Sequence, residues 1–199
     1  MGTDSTVLPD GEAVELVPDR TVGLIARAAL FAALTGAFSY VYFPMVASPA
    51  PVTLQVLGVF LAGIMLGPVW GAGAMVMYLV AGALGAPIFS GGTAGFGQLL
   101  SATGGYLWSF PLAAFAIGLV VHRRWLPRDP TDVGLHWLLG GLLLGVVIIY
   151  TGGVIGMALI LDMGIRNAIV AGALVFLPAE AVKIAAAIGI VRSDWLTAN

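Results

Sequence analysis

Six nearly uncharged apolar runs follow one another along this chain, at 21–43, 52–66, 69–84, 104–121, 134–161 and 168–191. A helix needs about 20 residues to cross about 30 Å of hydrocarbon. Runs of these lengths therefore read as membrane spans, with 52–66 and 69–84 short and joined by a turn at Gly67–Pro68. The runs are continuous rather than alternating, which argues against a transmembrane β-barrel. Only 9% of the residues are charged and 60% are hydrophobic. Soluble domains carry about 25% charged residues, so this chain could not cover a water-facing surface. The expected fold is an all-α integral membrane protein of six transmembrane helices with re-entrant or capping outer loops.

Charge placement gives an orientation. Residues 1–19 carry Asp4, Asp10, Glu12, Glu15 and Asp19 without a basic residue. They read as a solvated tail without fixed structure, and 20–199 as one transmembrane domain. With the N-terminus inside, Arg20, Arg27, Arg123, Arg124, Arg128 and Arg192 fall at the inner side and only Arg166 falls outside. That agrees with the positive-inside rule and predicts a plasma-membrane protein with both termini cytoplasmic. Trp125, Trp137 and Trp195 then sit at the inner interface, where indoles are favoured. Two uncharged stretches, 44–51 (PMVASPAP) and 86–103 (APIFSGGTAGFGQLLSAT), fall outside. Irregular backbone at membrane depth survives only beside protein or a wet cavity, so such a stretch reads as one that dips back or folds over a cavity as a lid, the alternative being a compact cap with no ligand.

The chain has a single lysine, Lys183, and it lies inside the last apolar run, three residues after Glu180. A lysine at mid-membrane costs about 2.5–3.5 kcal/mol on insertion scales. The i, i+3 spacing puts both on one helix face. They read either as a self-satisfied pair holding helices together or as a ligand site. Pro178, one turn earlier, is expected to bend the helix and free the Leu174 carbonyl. Thr53, Gln55 and Tyr106 open spans near the outer side and can converge on the pair. Tyr78 and Tyr150 lie deeper and read first as packing. Ala29, Ala33 and Ala37 repeat every four residues in the first span. Such a stripe serves packing in the bundle or docking of a membrane partner.

Several chemistries are excluded. There is no GxxxxGK[ST] phosphate loop, so the usual ATP site is missing. There are no cysteines and no HExxH zinc motif. His122 and His136 flank the inner loop, remote from Ser90 and Ser101, so a serine hydrolase has no base. The basic cluster at 122–128 is ordinary inner-side charge, not a nucleic-acid surface.

The ordered motifs PVTLQ (51–55), LAGIMLGP (61–68), GAPIFSGGTAGFG (85–97), TGGYLWSF (103–110) and FLPAEAVK (176–183) resemble those of the BioY family, the biotin-binding S components of energy-coupling-factor transporters. The resemblance runs from the first span to the last. It implies a six-helix bundle with an outer pocket for biotin, capped by the loops after spans one and three. It also implies a transmembrane coupling protein and two ATPase subunits as partners, with Ala29, Ala33 and Ala37 on the docking face, and no cofactor or metal. For such a ligand, Lys183 would meet the carboxylate and Glu180 the ureido N–H groups. Thr53, Gln55, Tyr106 and the Gly91–Gly92 backbone would add hydrogen bonds, and Phe89 and Phe96 would cover the ring. Two motifs depart from the family: Pro178-Ala179-Glu180-x-x-Lys183 stands for its Pro-Gly-Asp-x-x-Lys, and Ala102 precedes Thr103-Gly104-Gly105-Tyr106 where it has Pro. The alternatives are an S component for another small carboxylated vitamin, or a membrane scaffold in which Glu180 and Lys183 only pair with each other.

Overall fold

A computed structural model describes residues 19–193. The acidic tail, except Asp19, and Trp195 lie outside the described residues. Six helices carry the architecture: α1 (Asp19–Phe38), α2 (Gln55–Ala83), α3 (Gly104–His122), α4 (Leu135–Ile160), α5 (Ile165–Gly172) and α6 (Leu177–Arg192). Five stretches are long and apolar enough to cross a membrane, α5 and α6 counting together as Ile165–Arg192. The only strands among the described residues, β1 (Tyr42–Phe43) and β2 (Val52–Thr53), pair antiparallel with Tyr42 opposite Thr53.

The 29 residues of α2 are not one straight rod. Gly67 sits at φ 76°, ψ −175°, outside helical values. A side chain on Gly71 would meet the Ala62 carbonyl and Gly63. In a straight helix those residues would lie about 12–14 Å apart along the axis. The two arms therefore fold back on each other at Gly67–Pro68, the turn expected from the sequence. Only a glycine takes that φ without steric cost. Gly118 of α3 lies against the same turn, and a Cβ there would strike the Pro68 backbone.

Two expectations need correction. The first span stops at Phe38, not at residue 43. The next residues peel away to form β1, whose pairing with β2 closes the loop 44–51 into a hairpin over the bundle end. The last span is not one kinked helix. It breaks after Gly172, where Ala173 takes φ −137°, ψ −59°, and passes through a 3-10 turn, Leu174–Phe176. Pro178 falls in the first turn of α6 rather than mid-helix, a position that needs no backbone N–H. The Leu174 carbonyl is not left free, since the Leu177 N–H donates to it.

The opposite end of the bundle is tied by its basic loop. Arg192 donates to the Thr131 and Val133 carbonyls at 2.7 and 2.6 Å. Arg128 Nη2 donates to the Val121 carbonyl at 3.0 Å. His122 is buried; its Nδ1 accepts from the Arg128 N–H at 3.2 Å, so Nε2 carries the proton and donates to the Ile64 carbonyl at 2.8 Å. Arg123 stacks over Trp137, 4.7 Å from the ring centroid. Charges that read as inner-side markers are thus also mechanical ties.

Candidate functional site

At the end of the bundle formed by the β1–β2 hairpin and the loop 84–103 lies a cavity of about 370 Å³. That is a normal size for a small-molecule site. The hairpin supplies Tyr42, Pro51 and Thr53 to its wall, and the long loop supplies Phe89, Ser90, Gly91, Thr93 and Gln98. Helices supply Tyr106, Leu107 and Phe110 from α3, Tyr150 from α4 and Lys183 from α6. The wall is mostly aromatic and aliphatic, with a few polar groups and one cation.

The long loop is fastened rather than loose. Phe89 is buried, with its ring packed on Gly82 so closely that a Cβ there would overlap it. It also meets Tyr78 edge-on, with ring centroids 5.5 Å apart. The Gly91 N–H donates to the Ser39 carbonyl at 3.0 Å, the Gly95 N–H to the Gly82 carbonyl at 2.8 Å, and the Tyr40 hydroxyl to the Pro87 carbonyl at 2.6 Å. Gly91 takes φ 68° beside the Tyr42 ring, a left-handed turn that brings bare backbone to the cavity.

Lys183 forms the floor, with Glu180 behind it. Lys183 Nζ donates to Glu180 Oε1 at 2.6 Å, and the Tyr150 hydroxyl donates to the same oxygen at 2.7 Å. Glu180 is 2% exposed and Lys183 4%. Glu180 Oε2 has no partner among the described residues. An ammonium has three donors, so two of those on Lys183 are left for the cavity. Glu180 lies in the first turn of α6, where the helix macrodipole favours a negative charge.

Of the residues expected from the sequence to contact a ligand, the cavity gathers Thr53, Phe89, Gly91, Tyr106 and Lys183, and leaves Gln55, Gly92, Phe96 and Glu180 outside its wall. Gln55 is buried and held away from the cavity: its amide donates to the Tyr78 hydroxyl and its carbonyl accepts from Thr53 at 2.9 Å. Tyr78 in turn donates to the Ile88 carbonyl at 3.0 Å, so Gln55 supports the lid from below. Glu180 stands behind Lys183 instead of lining the cavity. Gly92 packs on Tyr40, and Phe96 opens a separate 3-10 turn with 57% of its surface exposed. Phe89 alone covers the cavity from this loop's aromatic pair. Tyr106 is partly committed, since its hydroxyl donates to the Gly172 carbonyl at 2.5 Å, at the break before α6. What remains to it is an acceptor lone pair and a ring face.

Sequence reasoning gave too little weight to Tyr150 and none to Gln98, Thr93 or Ser90 as cavity groups. Ser90 Oγ is buried without a partner among the described residues. The signal for Ser90 was its place in an uncharged glycine-rich loop. For Tyr150 it was the polar partner that a buried tyrosine hydroxyl usually finds.

The outward face of α1 is also defined. Ala28, Ala32, Thr35 and Ser39 are buried against the bundle, while Ala29, Ala33 and Ala37 are exposed.

The family model for BioY matches residues 13–198. The chain belongs to the BioY family. Among its relatives, a probable biotin transporter BioY of Pyrococcus horikoshii is 35% identical over 82% of this chain and 91% of its own length. The biotin transporter BioY of Rhodobacter capsulatus is 38% identical over 74% of each chain. The fold is similar to a crystal structure of the S-component for biotin from an ECF-type ABC transporter, with TM-score 0.77 and 24% identity over 89% of this chain and 93% of that one. In this BioY chain, the motifs that carried the resemblance fall mainly on the cavity, its lid and the α2 turn.

Proposed function

We propose that this chain is a membrane-embedded biotin-capture and uptake protein, the substrate-binding component of a vitamin transporter and not an enzyme. The observation that carries this is a single buried ammonium in the wall of an aromatic cavity under a fastened glycine-rich lid. Biotin offers an apolar ring system, a ureido group and a carboxylate. Lys183 neutralises the carboxylate by a charge-assisted hydrogen bond, strongest where water is excluded. Phe89, Phe110 and Tyr106 provide apolar faces for the rings. Ser90, Thr93, Gln98 and the Gly91 backbone are the polar groups for the ureido end. Glu180 sets the position of Lys183. The names borne by the relatives support biotin over another carboxylated vitamin.

The membrane topology follows from the same elements. The fold-back at Gly67 supports counting α2 as two spans, which with α1, α3, α4 and α5–α6 makes six. The basic loop between α3 and α4 supports placing that end, and both termini, in the cytoplasm, with the cavity opening outwards. Delivery inward falls to partners: a transmembrane coupling protein and ATPase subunits, since the chain has no phosphate loop of its own. The exposed Ala29, Ala33 and Ala37 provide a smooth face on α1 for close helix docking.

Equilibrium binding of labelled biotin to the purified protein tests the reading. Saturable binding at one site per chain, competed by unlabelled biotin, is expected. Retention of a different vitamin with no affinity for biotin would replace the substrate. No ligand at all would leave a scaffold.

A further inference from the structure

Charge counting at the cavity floor leads beyond the binding of biotin. Lys183 and Glu180 are a buried pair at 2.6 Å whose opposite charges cancel. A carboxylate that takes a second donor of Lys183 arrives within a few ångströms of Glu180. The floor would then hold two anions and one cation away from water. Two carboxylates that share one site each disfavour the charge of the other, and a single ammonium offsets only one of them.

Among the described residues packed around the pair, no other cation relieves the excess. Among elements packed on α6, α2 offers only the phenol of Tyr78, already donating to Ile88, as an ionisable group. Helix α4 offers Tyr150, which donates to Glu180, and His136 at its other end. The Pro130–Asp132 turn, which brings Asp132, meets α6 beside Arg192. Glu180 and Arg192 are about 18 Å apart along the helix. Around the cavity itself the remaining ionisable groups are the phenols of Tyr42 and Tyr106. The 3-10 turn Leu174–Phe176 has none. The second oxygen of Glu180, Oε2, is buried and receives no donor among the described residues, so once Lys183 is shared the charge is held only by the Tyr150 hydroxyl on Oε1 and the helix dipole.

We propose that capture of a carboxylate ligand is coupled to uptake of one proton, carried by Glu180. This rests on the biotin reading above. The step balances simply: the ligand carboxylate takes the Lys183 ammonium as its counter-ion, one proton from solvent closes on the Glu180 carboxylate, and the floor stays neutral. The i, i+3 partnership of Glu180 with Lys183 makes the exchange local, since both oxygens of Glu180 lie within one helical turn of the ammonium.

Calorimetry of biotin binding to the purified full chain, in two buffers of different ionisation enthalpy, reads the coupling directly. Uptake of one proton per biotin is expected, with binding that weakens as pH rises. Proton uptake is expected to vanish in Glu180→Gln, whose weakened biotin binding keeps a flat pH profile. Should that variant fail to fold, biotinamide serves with the wild type: a neutral ligand is expected to draw no proton. Biotin binding without buffer dependence would overturn the inference while leaving the function intact. So would full proton uptake by Glu180→Gln or with biotinamide. Absence of binding by biotin itself would remove the reading beneath it, and the coupling with it.

Discussion

Lys183 Nζ and the Tyr150 hydroxyl converge on one oxygen of Glu180, at 2.6 and 2.7 Å. Tyr150 arrives from α4 and Lys183 from α6, so this oxygen joins two helices beneath the cavity. The Tyr150 ring is also wedged between Tyr106, edge-on at 5.8 Å, and Phe176 at 5.7 Å. The ammonium is therefore pre-set before any ligand arrives, which lowers the ordering cost of binding.

Removing one partner of the pair separates fold from function. Lys183→Ala leaves Glu180 buried without its counter-charge and is expected to cost about 3–5 kcal/mol of stability. Biotin affinity should fall by about 2–3 kcal/mol, on the order of a hundredfold, with loss of a charged hydrogen bond. The double variant Lys183→Met with Glu180→Gln has no buried charge. Thermal unfolding in detergent should show its stability restored, while binding stays lost. A double variant that binds like the wild type would make the pair purely structural.

The lid is expected to fail from below as well as from above. Gly82→Ala puts a methyl where the Phe89 ring sits, and overpacking of this kind costs about 1–3 kcal/mol. Because Gly82 is outside the cavity wall, the loss should appear as weaker biotin binding with unchanged helical content by circular dichroism. Phe96→Ala, in the same loop but outside the wall, should bind within about twofold of the wild type.

The far end of the bundle should affect stability alone. His122→Ala strands the Ile64 carbonyl and the Arg128 N–H, at about 1–3 kcal/mol for a buried group left unpaired. Unfolding should come several degrees earlier, with biotin affinity unchanged in the folded fraction.

Docking is separable from capture on α1. Ala33→Trp adds bulk to the exposed face without touching the bundle. Binding of biotin to the isolated protein should be unchanged. Uptake by cells that also express coupling and ATPase subunits should drop. Equal uptake by variant and wild type would move the docking face elsewhere.

How much of this was legible beforehand varies residue by residue. Lys183 and Glu180 stood out because charge inside an apolar run is costly enough to need a reason. Gly67–Pro68 was readable as a turn because only glycine takes that backbone cheaply. The i, i+3 spacing gave Glu180 and Lys183 a common face but said nothing of depth, so it could not put one at the wall and the other behind it. Phe89 and Phe96 are alike in a glycine-rich loop; the hollow over Gly82, at the end of the helix that leads into the loop, chooses between them. Pro178 reads as a kink or a helix start with equal ease, and the break at Ala173 is stabilised by the Tyr106 hydroxyl across the bundle. Such long-range ties leave no local mark on the sequence.

The central claim is that the Lys183 ammonium is the anchor for the ligand's carboxylate. The most direct measurement is the position of bound biotin in an experimental structure of this protein. A carboxylate oxygen within about 3 Å of Lys183 Nζ, in the cavity beneath Phe89, is the expected result. Biotin bound elsewhere, or lodged there with its carboxylate turned away from Lys183, would contradict it.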